Sequence, residues 1–344
     1  MRPLLIVPGL FSTEIYDDQR ACLWGTFRNL YGGPPIASLG RPLGQPGGIM
    51  RRIPIVGGLA YDLLGALERV LAGAGYHAGK TMAFFAYDWR LRVVDLGATL
   101  AREVRRFADA AGGPIDILGL SNGGLVIRAA FAADRALPVE RVVTSGSPNA
   151  GTIETLSCMD RGFQFAPLGR TVTPAQFMAC PGAIDALPAP DWAAFSPADS
   201  GQDVSGCDLY DVRTWRRLRL SVFRDDPDDP VWVGVMEQRL SAARETWRVL
   251  DGASAPRRLV CICGDGLPTQ TRIVVRDGRA DVPGEGHLGD LPADAIESGD
   301  GAMTVAAGRA WTGATPEVVR IKVKRHRDTV RTKAAYDAIL AALR

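Results

Sequence analysis

Short, continuously apolar runs alternate along the first part of the chain with stretches whose apolar residues recur at helical spacing. Pro3 to Val7 is such a run, closed by Pro8-Gly9; Met82 to Tyr87, Ile115 with Ile117 and Leu118, and Arg141 to Thr144 read as further strands. A run that is apolar at every position predicts a strand buried on both faces, as in a parallel sheet. Between them, Leu59, Leu63, Leu64, Leu67 and Leu71 predict an amphipathic helix over 59–72. Leu100, Val104 and Phe107 share a face of a helix over 96–110, and Gly124 to Ala133 reads as another. This rhythm predicts an α/β fold, a mostly parallel sheet with helices on both faces. It resumes at Arg257 to Cys263 and closes with Val318 to Val323 and a helix from Ala334 to Leu343. Asp277-Gly278, between Thr271–Val275 and Arg279–Val282, is a hairpin signal.

The rhythm fails in two places. Residues 13–57 are rich in Gly and Pro and weakly periodic, yet carry Trp24, Phe27, Leu30 and Tyr31. A long loop with apolar bulk reads as a lid or as a surface excursion with its own cluster. Residues 152–256 show no strand–helix alternation. Scattered aromatics, Phe163, Phe165, Phe177, Trp192, Phe195, Trp215 and Trp232, precede a helix from Met236 to Leu250. The expected organisation is a core of 1–151 and 257–344, an inserted cap at 152–256 and a lid loop at 13–57. The acidic run Asp225 to Pro230 fits a solvated turn and helix start, having no ligand spacing for a metal.

Candidate chemistry lies at the strand–helix junction Gly119-Leu120-Ser121-Asn122-Gly123. G-x-S-x-G between a buried strand and a helix is the nucleophile elbow of the α/β-hydrolase fold. A sharp turn lifts the serine hydroxyl above the sheet, and the following N–H, that of Asn122, can stabilise an oxyanion. In that layout the loop after the first strand supplies a second N–H, which falls on Leu10. A serine at neutral pH needs a base, and the fold orders its triad Ser, acid, His. Of His77, His287 and His326, His77 precedes Ser121, and His287 lies in a Gly-rich stretch as a loop residue or substrate contact. His326 follows the last strand and is the expected base. Two aspartates fit the acid, Asp265 after a strand and Asp300 in Ser-Gly-Asp-Gly, and position alone leaves both open.

Composition narrows the remaining possibilities. The 344 residues are 47% hydrophobic and 23% charged with a net charge of +2, ordinary globular values that make no case for nucleic acid. No apolar run reaches membrane-span length, and Met1-Arg2-Pro3 leads directly into a strand rather than a signal peptide. A cytoplasmic location is therefore expected, with signal-independent export left open. The six cysteines match no zinc spacing. Cys261 and Cys263 share a strand face as small buried hydrophobes, and pairing of Cys158 with Cys180 is undecided by sequence. No cofactor is implied.

Taken together, Val7-Pro8-Gly9, Tyr87-Asp88-Trp89-Arg90-Leu91, the G-x-S-x-G, Gly264-Asp265-Gly266-Leu267-Pro268-Thr269, Gly299-Asp300-Gly301 and His326 occur in a familiar order. In that order they resemble the lecithin:cholesterol acyltransferase family, which includes the lysosomal phospholipase A2 group and bacterial homologues. Pro181 to Pro188 and Asp211 to Arg216 resemble bacterial members. The resemblance implies a serine esterase acting on lipid acyl esters as lipase, phospholipase or acyltransferase, with transient contact at a membrane surface. It implies Ser121, Asp300 and His326 as triad, Leu10 and Asn122 as oxyanion donors, and a structural role for Tyr-Asp-Trp-Arg. Leu120 and Asn122 depart from the more usual His and Leu, and Ala302-Met303 from Thr-Val. The family's lid cysteine pair and secretion signal are missing. The rival expectation is a catalytically silent binding or scaffold protein on the same fold.

Overall fold

The computed structural model of the chain describes residues 1–32, 35–39, 44–55, 60–165, 169–198, 203–284, 287–289 and 291–344. The apolar runs form the strands β1 (Leu4–Val7), β2 (Met82–Phe84), β3 (Ile115–Leu120), β4 (Val139–Ser145), β5 (Leu259–Asp265) and β6 (Glu317–Lys322). They pair in one parallel sheet in the order β6-β5-β4-β3-β1-β2. The chain steps outward from β1 to β2, then returns to the other side of β1 for β3. In open α/β sheets such a reversal leaves a crevice at the carboxyl ends of the strands flanking it. Here those strands are β1 and β3.

Strand alternation explains why the runs are largely apolar, Asp116 in β3 and Glu140 and Arg141 in β4 being charged exceptions. Leu5, Val7, Ile115, Ile117, Val142 and Cys261 face one core. Leu4, Ile6, Leu118, Leu120, Val143 and Ile262 face the other. Helix α1 (Gly65–Gly73) packs on the second core. Helices α2 (Val93–Ala111), α3 (Gly123–Ala133), α4 (Ile153–Arg161) and α5 (Pro230–Asp251) pack on the first, and α6 (Lys333–Leu343) returns to the second. Cys261 and Cys263 are buried as expected, and no disulfide joins Cys158 to Cys180.

Several boundaries differ from expectation. Helix α1 starts at Gly65, because Ala60–Asp62 pairs in a hairpin with Arg52–Pro54; Leu59 lies outside the described residues. Helix α5 starts earlier, at Pro230. Asp229 accepts hydrogen bonds from the Val231 and Trp232 amides, and Pro230 occupies the first turn where its missing N–H costs nothing. Residues 13–57, weakly periodic in sequence, contain a three-stranded antiparallel sheet of Cys22–Trp24, Thr13–Tyr16 and Gln45–Ile49; positions 33–34, 40–43 and 56–57 of that span lie outside the described residues. Strands of three to five residues, one reading Gln-Pro-Gly-Gly-Ile, carry too little alternation to be seen locally. The 271–282 hairpin leaves the main sheet and pairs instead with Phe195–Pro197. No helix among the described residues is long and apolar enough to cross a membrane.

Tyr-Asp-Trp-Arg ties these parts together below the crevice. The Tyr87 hydroxyl donates to the Pro8 carbonyl at 2.6 Å. Arg90 grips Asp88 through two N–H groups, at 2.9 and 2.7 Å, with both side chains almost wholly buried. Its third contact, 2.5 Å to the Ile36 carbonyl, anchors the 13–57 excursion to the end of β2. Removing one partner of a buried ion pair strands the other charge. Arg90→Met is therefore expected to cost about 3–5 kcal/mol in urea denaturation, and a loss below about 1 kcal/mol would show that the pair is not structural.

Candidate active site

The strand β3 runs straight into α3 through a turn that leaves Ser121 at φ 50°, a left-handed conformation that side chains other than glycine rarely adopt. Such a residue carries strain of about 1–3 kcal/mol, and strain of this kind clusters at functional sites. The neighbours show why the flanking positions are glycine. A Cβ on Gly123 would stand 2.1 Å from the Val7 carbonyl oxygen, and one on Gly9 would stand 2.9 Å from the Ser121 Cβ. The elbow and the loop after β1 thus press directly against each other. Leu10 and Asn122 flank Ser121 in the same pocket. Among the described residues, neither the Leu10 nor the Asn122 backbone N–H has a hydrogen-bond partner.

Ser121, His326 and Asp300 are brought together. Ser121 Oγ lies 3.2 Å from His326 Nε2, and His326 Nδ1 lies 2.8 Å from Asp300 Oδ2. With Asp300 as a carboxylate, Nδ1 carries the ring proton and Nε2 is left to accept from the serine hydroxyl. Asp300 is buried, and its other oxygen accepts from the Ala302 and Met303 amides at 3.0 and 2.7 Å. Its loop is held by Thr269, whose hydroxyl accepts from the Gly301 amide at 2.9 Å. The His326 loop is held by Thr329: its hydroxyl donates to the His326 carbonyl, and its own carbonyl accepts from the Ser145 hydroxyl at the end of β4.

Asp265, the other sequence candidate for the acid, points elsewhere. It accepts from the Ser298 hydroxyl at 2.5 Å and lies 3.6 Å from Lys322 Nζ. The serine hydrogen bond, with Lys322 assisting, holds its carboxyl below the usual range. His287 is not among the residues lining the Ser121 pocket, and its neighbours Glu285 and Gly286 lie outside the described residues.

Ser121 and His326 open into a cavity of about 240 Å³. Phe11, Phe163, Phe165 and Phe177 form one aromatic cluster in its wall, with Phe11 and Phe163 stacked at 5.4 Å. Tyr61, Arg327 and Arg331 also line it. Sequence reasoning passed over these last three and over Thr329, and it singled out Thr269 only as part of the Gly-Leu-Pro-Thr motif. Arg327 adjoins His326 and Thr329 lies three residues beyond it, which are the local signals; Tyr61 comes to the site from a distant segment.

No family model matches the chain, and no curated protein does. Solved structures do match. The crystal structure of the Tle4–Tli4 complex is similar at 13% identity and a TM-score of 0.64, over 99% of this chain and 98% of that one. Bacillus licheniformis lipase BlEst2 in mature form is similar at 13% identity and a TM-score of 0.42, over 99% and 91%. Paleococcus ferrophilus monoacylglycerol lipase is similar at 12% identity and a TM-score of 0.39, over 99% and 95%. With the parallel sheet, the likeness speaks to architecture: the chain has the α/β-hydrolase fold.

The crowding at the elbow is directly measurable. Gly123→Ala is expected to lose about 1–3 kcal/mol of stability by overpacking. Gly113→Ala, where an added Cβ meets nothing within 4 Å, is expected to stay within about 0.5 kcal/mol of the wild type. Equal effects in thermal denaturation would mean that contact with β1 does not constrain the elbow.

Proposed function

We propose that the chain is a serine esterase acting on lipid acyl esters through Ser121, His326 and Asp300. The observation that carries this reading is the hydrogen-bonded line from the Ser121 hydroxyl through His326 to Asp300, opening into an aromatic-walled cavity. His326 Nε2 takes the hydroxyl proton as Ser121 Oγ attacks the ester carbonyl. Asp300 holds the imidazole in its Nδ1–H form and stabilises the imidazolium. The tetrahedral oxyanion is held by the Leu10 and Asn122 amides, which are free of other partners among the described residues. As the tetrahedral intermediate collapses, His326 returns the proton to the leaving alcohol. Water then cleaves the acyl-enzyme in hydrolysis, and an alcohol in its place gives acyl transfer.

In this reading residues 152–256 act as a cap and 13–57 as a lid. The first supplies Phe163, Phe165 and Phe177 to the cavity, and Ile53 comes from the second. An apolar wall of this kind favours an acyl chain over a small polar group. A place in the lecithin:cholesterol acyltransferase family is supported by what its motif residues touch: Tyr87 on Pro8, Arg90 on Asp88, Thr269 on the Asp300 loop.

Ser121→Ala is expected to cost on the order of 10³-fold or more in ester turnover, with the circular-dichroism spectrum unchanged. Asp300→Asn is expected to lower kcat by roughly 10⁴-fold through the wrong imidazole tautomer, while Asp265→Asn stays close to wild type. Turnover that survives in Ser121→Ala, or an Asp265 effect exceeding that of Asp300, would refute the assignment.

A further inference from the structure

In the esterase reading Asn122 supplies its backbone N–H to the oxyanion, and its side chain has no task. That side chain is an anomaly. Asn122 is 2% exposed, and among the described residues neither its Oδ1 nor its Nδ2 makes a hydrogen bond of good geometry. A buried donor and acceptor left unmet destabilise a fold, and native structures hold few of them. A leucine, with the same branched skeleton, would fill the place without that cost.

The surroundings point to a task. The Pro8 carbonyl oxygen is where three segments meet. It accepts from the Tyr87 hydroxyl at 2.6 Å, and it would stand 2.9 Å from a Cβ on Gly123, the residue after Asn122. The Tyr87 hydroxyl is thereby brought to the foot of α3, beside Asn122. Burial raises the Tyr87 pKa, and the Asn122 side chain opposes that rise. A group that favours the phenolate presents a donor, so the Nδ2–H edge faces the Tyr87 oxygen. That oxygen gives its one proton to Pro8, which leaves its lone pairs for the carboxamide. Asn122 Oδ1 remains as the unmet acceptor. Pro8 lies two residues before Leu10, and Gly9 between them presses on the elbow, a Cβ there standing 2.9 Å from the Ser121 Cβ.

We propose that the Asn122 side chain is a positioning residue: its Nδ2–H engages the Tyr87 hydroxyl and, through it, the Pro8 carbonyl, and this clasp sets the separation of the Leu10 and Asn122 backbone N–H groups. Its catalytic consequence rests on the esterase reading above; the clasp itself does not. Donors stabilise a developing oxyanion only when they are held in place beforehand, and a misplacement of about 1 Å lowers rates by roughly a hundredfold. The unmet Oδ1 is then stability given up for the geometry of the site.

Asn122→Leu keeps the backbone N–H and the branched skeleton and removes both polar atoms. With 4-nitrophenyl butyrate as substrate it is expected to lower kcat by about tenfold or more with KM unchanged, while the melting temperature holds or rises. A side chain that only supports the fold gives the reverse, a lower melting temperature with kcat retained, and that result would overturn the proposal. Tyr87→Phe removes the other half of the clasp and decides the case in which both quantities fall. The double variant is expected to lose no more kcat than the worse single variant; losses that multiply would make the two side chains independent and overturn the proposal. Hydrogen–deuterium exchange of the peptide from Val7 to Ser12, read in a Ser121→Ala background, separates the clasp from the esterase reading because it needs no turnover. Faster exchange on adding Asn122→Leu, with no ester turnover by the wild type, would keep the clasp and refute the esterase. Ester turnover by the wild type, with both exchange and kcat indifferent to Asn122→Leu, would do the opposite.

Discussion

All six strands of the main sheet run in the same direction, and the candidate site depends on that constraint. Parallel strands deliver their carboxyl ends to one edge. The loop after β1 brings Leu10, the turn after β3 brings Ser121, the segment between β5 and β6 brings Asp300, and the loop after β6 brings His326. Residues more than three hundred positions apart thereby come to one crevice, and no contact among them needs to be local. The Ser121–His326–Asp300 line is held at its aspartate and its histidine by side chains that belong to none of the three. Thr269 steadies the aspartate loop and Thr329 the histidine loop.

Close approach at the elbow has a cost, visible in the left-handed Ser121 and in glycines that admit no side chain. The surroundings over-determine the strained turn. Val7 backs it, the Ser121 amide donates to the Ser145 carbonyl, and Tyr87 fixes the Pro8 carbonyl of the adjoining loop. The buried Arg90–Asp88 pair extends this support to the 13–57 excursion, so the scaffold of the site and one wall of its cavity share a single anchor.

The parallel sheet was legible in the sequence because burial on both faces leaves short, largely apolar runs between amphipathic helices. Ser121 and His326 were legible because the elbow has a local spacing and the fold has a fixed order. The acid was not. Gly264-Asp265-Gly266 and Gly299-Asp300-Gly301 look alike in sequence. They differ only once Leu267–Gln270 pairs with Ile296–Gly299, which sets Asp265 against Ser298 and leaves Asp300 facing His326. The family resemblance pointed to Asp300, and it is Asp300 that His326 contacts. The sheet within 13–57 was hidden because its strands are short, interrupted by Gly and Pro, and paired across distance. Arg327, Arg331 and Tyr61 went unnoticed for a related reason: their meeting joins the 52–62 hairpin to the loop after β6, a contact without any signature along the chain.

The central claim is that His326 activates Ser121. Labelling with a fluorophosphonate, followed by peptide mass spectrometry, tests it most directly. An activated serine gives a single modified peptide containing Ser121, at a rate that collapses in His326→Ala. Labelling at another residue, equal labelling of the His326→Ala variant, or no labelling with or without lipid micelles would contradict it.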